Sequence, residues 1–102
     1  KPSWFGFLMM VKDDAGFKRN DLAEFLEGKN IQTRYLFAGN FLKQPCFDTL
    51  RKQNRGFRVV GTLENTDKIM NQSLWIGVYP GMTKKKLDYM IGMIMTFCGR
   101  NQ

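Results

Sequence analysis

The sequence contains no histidine. This absence excludes the Ser-His-Asp and Cys-His catalytic arrangements and every metal site that depends on an imidazole ligand. Cysteine is scarce as well, and Cys46 and Cys98 lack the CxxC spacing of a metal or redox pair. Isolated thiols beside apolar neighbours are typical of buried, reduced cysteines, which favours a reducing compartment. We therefore expect neither a catalytic residue nor a metal ligand within this chain.

Long hydrophobic runs are also lacking. No apolar run approaches the roughly 18 residues that a membrane helix needs. The apolar stretch WFGFLMMV at residues 4–11 is short and has no cleavage-site pattern of a secretory signal. The sequence therefore predicts a cytoplasmic protein with no membrane partner.

Acidic residues are few, since nine Asp and Glu stand against 16 Lys and Arg, and the net charge is +7. The excess lies mainly in RKQNRGFR (51–58) and KKK (84–86). Such clusters permit contact with phosphates or acidic surfaces, although a solvated basic face is the plainer interpretation.

The apolar content is sufficient for one core, because 43% of the 102 residues are hydrophobic and 14% are aromatic. We expect residues 1–102 to form a single domain. The sequence starts at Lys1 rather than Met and enters an apolar run almost at once. We therefore expect this domain to be a piece of a longer protein.

The hydrophobic spacing predicts alternating strands and helices. Asn20 and Thr83 are the expected N-caps of the first and last helices, Gly28 and Gly99 their expected stops, and Thr62 or Asn65 lies near the start of the middle helix. This order predicts an α+β fold, a small sandwich of a mostly antiparallel or mixed sheet with helices on one face. The predicted strands are 4–11, 31–37, 57–60 and 73–79; the predicted helices are 20–28, 63–72 and 84–99, with a helical turn near 48–54.

One motif suggests nucleic-acid binding. RGFRVV (55–60) begins like the RNA-recognition consensus Arg-Gly-Phe-Gly-Phe-Val. However, Arg58 replaces the small residue and Val59 replaces an aromatic that would stack on a base, so the stacking surface is incomplete. A basic nucleic-acid-binding module remains a remote alternative.

Arg34 is the more promising functional candidate, since it lies within an apolar predicted strand just before the uncharged turn AGN (38–40). Alternation along the strand puts Arg34 on the face of Gln32 and Leu36. A planar guanidinium suits bidentate pairing with a carboxylate or phosphate. The alternative is an edge-strand arginine in solvent, with Asn40 as an ordinary turn residue.

Four segments carry a resemblance that covers nearly the whole chain: SWFGF (3–7), TRYLFAGNFLKQP (33–45), NTDKIMNQSLWIGVYPGM (65–82) and LDYM (87–90). In this order they resemble the C-terminal small domain of the CDP-4-keto-6-deoxy-D-glucose 3-dehydrase group. That group lies within the fold-type I sugar aminotransferases and dehydratases that depend on pyridoxal 5'-phosphate.

The resemblance implies a nucleotide-sugar 3-dehydrase of lipopolysaccharide 3,6-dideoxysugar biosynthesis. The cofactor, pyridoxal or pyridoxamine 5'-phosphate, would be bound mainly by an N-terminal large domain that this chain lacks. The substrate would be a nucleotide-linked 4-keto-6-deoxyhexose, and the whole enzyme a homodimer. Because the catalytic histidine of the group is not in this sequence, the chain alone should be inactive.

By the same resemblance, an active-site arginine of the family falls on Arg34, and Asn40 would add an amide contact with the substrate. Related aminotransferases often have a histidine in the loop where AGN stands here, which favours the dehydratase branch. An aminotransferase small domain is the first alternative. The resemblance leaves open whether glutamate or an iron-sulfur reductase system recycles the cofactor.

Overall fold

A computed structural model describes residues 1–100 and shows a three-stranded sheet with four α-helices. The strands are β1 (Gly6–Met10), β2 (Thr33–Arg34) and β3 (Ser73–Gly77). Strand β3 lies in the centre and pairs antiparallel with both β1 and β2. The helices are α1 (Arg19–Gly28), α2 (Asp48–Gln53), α3 (Glu64–Gln72) and α4 (Lys84–Arg100). The predicted α+β class is confirmed.

The core lies on one face of this sheet. Leu74 and Ile76 of β3 are buried there against Leu22 and Leu26 of α1 and Phe97 of α4. Leu22 and Leu26 are four residues apart and therefore lie on the same face of α1. Full burial of each such side chain contributes about 1.5–3 kcal/mol, so this layer dominates the stability of the fold.

The opposite face of the sheet, which carries Trp75, has no helix packed over it in residues 1–100, and Leu8 and Met10 of β1 are each about half exposed there. Phe7 lies on the core face opposite Ile76 and is 58% exposed as well. The prediction of a strand covered on both faces is therefore wrong for the described chain. The reason is that α1 and α4 pack on a single face, and α4 reaches only part of β1.

The predicted strand 31–37 is wrong in length, since only Thr33 and Arg34 join the sheet, opposite Ile76 and Trp75. For β2 to be longer, its next residues would have to bond to the next backbone carbonyl of β3 that points toward β2. This carbonyl, on Ser73, accepts a hydrogen bond from Arg19 instead, at 3.2 Å.

The structure differs from three further predictions. Residues 57–60 form no strand. Helix α4 includes Gly99 and continues to Arg100, because a glycine within a helix costs only about 1 kcal/mol and does not by itself end it. The N-cap of helix α1 is Lys18 and not Asn20, two residues earlier than predicted, because the Lys18 amide donates to the Asp21 carboxylate at 2.9 Å.

The remaining helix predictions are confirmed. Helix α1 ends at Gly28, and α2 forms where a helical turn was expected. The Thr62 hydroxyl accepts from the Glu64 amide at 3.4 Å, at the start of α3. The Thr83 hydroxyl accepts from the Lys86 amide at 3.2 Å and caps α4.

Residues 41–63, here called the arm, extend away from the sheet. The arm contains two short 3-10 turns (Phe41–Lys43 and Pro45–Phe47) and α2, and none of its residues is buried. The radius of gyration is 16.9 Å, whereas a compact domain of this length has about 13 Å. The arm therefore has almost no core of its own.

Candidate functional site

The uncovered side of the sheet forms an open aromatic face around Trp75. The rings of Phe5 and Phe37 meet Trp75 edge to face, with centroids 5.2 Å and 6.1 Å away. Together with Trp4, Leu8 and Leu36 they line a shallow cavity of about 330 Å³ with almost no polar surface. This is a surface for apolar contact.

Gly6 allows the indole of Trp75 to lie across β1. A β-carbon at residue 6 would lie 2.0 Å from Cε3 of Trp75, far closer than real contacts. Every other residue type would displace the ring, so this glycine determines the shape of the open aromatic face.

Arg34 lies beside this face, directly opposite Trp75 in the β2–β3 register. Its side chain is exposed, and it forms no hydrogen bond or ion pair with any other residue in the range 1–100. A free guanidinium next to apolar surface can form a bidentate pair with an incoming anion. The structure thus places the predicted candidate on an accessible surface.

Glu27 is the acid that acts on Arg34 electrostatically, but its carboxylate points elsewhere. Its Oε1 accepts from the amide and the hydroxyl of Thr33, at 2.7 Å and 3.0 Å. These two bonds lower the pKa of Glu27 below its usual range, with a smaller contribution from the charge of Arg34. Glu27 therefore fixes the start of β2 and leaves the Arg34 guanidinium available.

Asn40, the second predicted substrate contact, is 4% exposed. Its Nδ2 donates to Asp67 at 2.8 Å, and its Oδ1 accepts from the Leu42 amide at 3.0 Å. The bond from Asn40 is the main reason why the pKa of Asp67 is lowered, followed by the bond from Lys43. Both polar atoms of the Asn40 amide are therefore used within the chain.

The turn before Asn40 rests on Met70 of α3. Gly39 has φ +58°, and a β-carbon there would lie 2.3 Å from Cγ of Met70. The backbone amide of Asn40 also donates to the Met70 sulfur at 3.3 Å. Arg34 and Asn40 thus lie at opposite ends of one short segment, and no contact links them directly.

Arg19 is a residue that the sequence interpretation missed. Its Nη1 donates to the carbonyls of Met70 and Ser73, at 2.7 Å and 3.2 Å, and its guanidinium carbon lies 3.6 Å from the centre of the Tyr35 ring. The partner carbonyls lie more than 50 residues away in the sequence. No local spacing could have indicated these contacts.

No group of three His, Cys, Asp or Glu side chains in residues 1–100 is arranged to bind a metal ion. None of the helices described is long and apolar enough to cross a membrane.

Fold and site together define a small α+β unit in which the guanidinium of Arg34 lies beside an exposed apolar face. The chain belongs to the DegT/DnrJ/EryC1/StrS aminotransferase family, whose model matches residues 1–95.

Two curated relatives match 98% of the chain, each over 100 residues. The lipopolysaccharide biosynthesis protein RfbH of Salmonella typhimurium is 48% identical. The dTDP-4-dehydro-2,6-dideoxy-D-glucose 3-dehydratase of Saccharopolyspora spinosa is 41% identical. The chain spans 22% and 21% of the length of these two relatives.

Solved structures agree with this assignment. A GDP-4-keto-6-deoxymannose-3-dehydratase with a trapped PLP-glutamate geminal diamine matches 89% of the chain with a TM-score of 0.74 at 28% identity. The Escherichia coli enzyme with bound hydrated PLP matches 87%, also with a TM-score of 0.74, at 27% identity. The chain covers 22% of each of these structures. The predicted resemblance to the 3-dehydratase group is confirmed.

Proposed function

We propose that this chain is the C-terminal small domain of a cytoplasmic nucleotide-sugar 3-dehydratase, acting in lipopolysaccharide 3,6-dideoxysugar biosynthesis. The whole enzyme would remove the C3 hydroxyl of a nucleotide-linked 4-keto-6-deoxyhexose. The observation that carries the proposal is the free Arg34 guanidinium on the open aromatic face, in a chain whose relatives include two named 3-dehydratases.

The open aromatic face supports the proposal of a larger enzyme. Six large apolar side chains surround a cavity that no part of residues 1–100 covers. Exposed patches of this kind mark interaction surfaces. We assign this face to contact with an N-terminal large domain, in an enzyme that forms a homodimer.

Arg34 is the proposed substrate-binding residue. At the edge of the apolar face its charge would be partly removed from water once the large domain is in place, which strengthens pairing with an anion. The diphosphate of a nucleotide sugar and the carboxylate of an amino donor both fit a planar guanidinium. Its contribution is binding and orientation of the substrate.

Asn40 remains a predicted substrate contact. Its geometry favours an indirect contribution, because the amide links Asp67 to the Leu42 backbone and so fixes the turn that follows Arg34. A direct contact with substrate would require Asn40 to release one of these partners.

The cofactor belongs to the whole enzyme in this proposal. Pyridoxal or pyridoxamine 5'-phosphate supplies an electron sink for the loss of the hydroxyl when it is bound. In residues 1–100, however, the cavity of the open face has almost no polar lining, so it offers no hydrogen-bond partner for the ring nitrogen and the ring hydroxyl of this cofactor. We therefore assign cofactor binding to the large domain.

The alternatives are less well supported. An aminotransferase small domain shares the family, but the matched relatives with a named reaction are 3-dehydratases. The nucleic-acid alternative required a strand at RGFRVV, and residues 57–60 form none.

A chimera tests the proposal. Residues 1–100 replace the matching segment of the S. spinosa 3-dehydratase, and conversion of dTDP-4-dehydro-2,6-dideoxy-D-glucose is measured beside the unaltered relative. We expect an active chimera, in which Arg34→Gln lowers kcat/KM by about 10- to 100-fold, since a charge-assisted hydrogen bond is lost.

Arg55→Gln is the matched control, because Arg55 is an exposed arginine of the arm whose side chain hydrogen-bonds, within residues 1–100, to Gln53 alone. It should leave kcat/KM unchanged. A folded chimera that retains the cofactor but converts no substrate would contradict the proposed function. An active chimera that is insensitive to Arg34→Gln would contradict the assignment of Arg34.

A further inference from the structure

The segment that carries Arg34 has little support from the sheet. Strand β2 is two residues long, and the chain then passes through Ala38 and Gly39, with φ of 60° and 58°. Phe37, which lies between β2 and Ala38, is 76% exposed. The path of residues 35–40 is therefore set by side-chain contacts rather than by a ladder of backbone hydrogen bonds.

Arg19 supplies contacts on two sides of this segment. On one side its Nη1 donates to the carbonyls of Met70, at 2.7 Å, and Ser73, at 3.2 Å, where α3 passes into β3. On the other side its guanidinium stacks on Tyr35, the residue that follows Arg34. The same guanidinium thus links the central strand to the chain at the point where β2 ends.

Asn20 completes the arrangement. Its Oδ1 accepts from Nε of Arg19 at 2.9 Å and from the Tyr35 hydroxyl at 3.2 Å. The plane of the guanidinium and the ring of Tyr35 are therefore held in one relative orientation. A lysine has no planar group and could not bond the two carbonyls and cover the ring together.

We propose that Arg19 is a positioning residue for substrate binding: it stacks on Tyr35 and thereby fixes the direction in which Arg34 leaves the sheet. This inference rests on the proposed function, because it takes Arg34 as the group that binds the anion. Arg19 itself is turned toward backbone carbonyls and makes no contact with the open face.

Hydrogen exchange on the chain tests the contact between Arg19 and Tyr35 in the absence of substrate. Arg19→Lys and Tyr35→Leu should each accelerate exchange of the hydrogen-bonded backbone amides of Gly39 and Asn40 by about tenfold or more, since local opening becomes easier. The amides of β3 and α4 should keep their rates. Tyr35→Phe keeps the ring beside the guanidinium and loses only the bond to Asn20, so it should have a smaller effect than Tyr35→Leu. Uniform acceleration throughout the chain, or none at Gly39 and Asn40, would overturn the inference.

Kinetics in the chimera test whether the position of Arg34 that Arg19 fixes matters for substrate binding. Arg19→Lys should raise KM for the nucleotide sugar by about tenfold with kcat within a factor of two, as weakened uniform binding requires. Loss of folded protein alone would lower the apparent kcat and leave KM unchanged, and would overturn the positioning role. Arg55→Lys, which changes an arginine of the arm, is the matched control and should change neither constant.

The two proposals can fail separately. If Arg34→Gln leaves the kinetics of an active chimera unchanged, the proposed role of Arg34 fails, while the exchange data still decide whether Arg19 holds the segment. If Arg34→Gln raises KM and Arg19→Lys does not, only the inference about Arg19 is refuted.

Discussion

The pair formed by buried Asn40 and partly exposed Asp67 permits a test by exchanging the two side chains. Asn40 donates to the Asp67 carboxylate and accepts from the Leu42 amide. Asn40→Ala removes both bonds and leaves the Leu42 amide without its partner. Loss of a bond to a buried polar group costs about 1–3 kcal/mol, so we expect a loss of this size in the free energy of unfolding.

Asn40→Asp should be more destabilising than Asn40→Ala at neutral pH. The new carboxylate still accepts from Leu42, but it faces Asp67 across a contact that is 2.8 Å long in the wild type. Two carboxylates at this distance repel each other, or one of them takes up a proton. The double variant Asn40→Asp with Asp67→Asn restores one amide and one carboxylate, in exchanged positions.

Urea unfolding followed by circular dichroism measures all four chains. With a slope of about 1–2 kcal/mol per molar urea, the loss expected for Asn40→Ala shifts the midpoint by about 1 M. The double variant should recover at least about half of what Asn40→Asp loses, because the two sites are directly coupled. A double variant that is no more stable than Asn40→Asp would refute the assigned pair. Incomplete recovery is expected, since Asp67→Asn also weakens the ion pair of Asp67 with Lys43.

Three further outcomes follow from the same structure. Leu74→Ala should cost about 2–5 kcal/mol in urea unfolding, because Leu74 is fully buried at the centre of the core. Gly39→Ala should destabilise the turn by about 1–3 kcal/mol through its positive φ, and further through the contact with Met70, whereas Gly28→Ala, with no atom near the added β-carbon, should have little effect. The lowered pKa of Asp67 and Glu27 means that each stabilises the fold above the pKa of the unfolded carboxyl. This stability should be lost as the pH falls through the lower folded values, below about pH 4, in a pH series of urea midpoints; a flat profile between pH 5 and pH 2 would contradict both assignments.

The layer of helix and sheet was predictable from the sequence because its signals are local. Leu22 and Leu26 have helical spacing, and the Thr83 cap and the Gly28 stop are read from neighbouring residues. The family motifs around Arg34 predicted its exposure to a cleft, and the structure places it on an accessible surface. Periodicity alone is sufficient for such elements.

The errors arose where a distant residue competes with the local pattern. Strand β2 ends early because Arg19 takes the carbonyl of Ser73, 54 positions further along the chain. In the same way, the engagement of Asn40 depends on Asp67, 27 residues away. Spacing along a sequence contains no information about such partners. The length of β2 was therefore predicted wrongly, and the role of Asn40 stays a prediction.

The order of the strands has a consequence for how the chain could be divided. Strands β1 and β2 precede the arm, whereas β3, which lies between them, follows it. A cut in the arm, where no residue is buried, would therefore yield two fragments that each lack a complete sheet. Neither fragment alone can pair its strands as in the intact chain, but together they can rebuild β1-β3-β2. The arm is thus the natural place to split this domain for fragment complementation, with assembly of the fragments as the event that restores the fold.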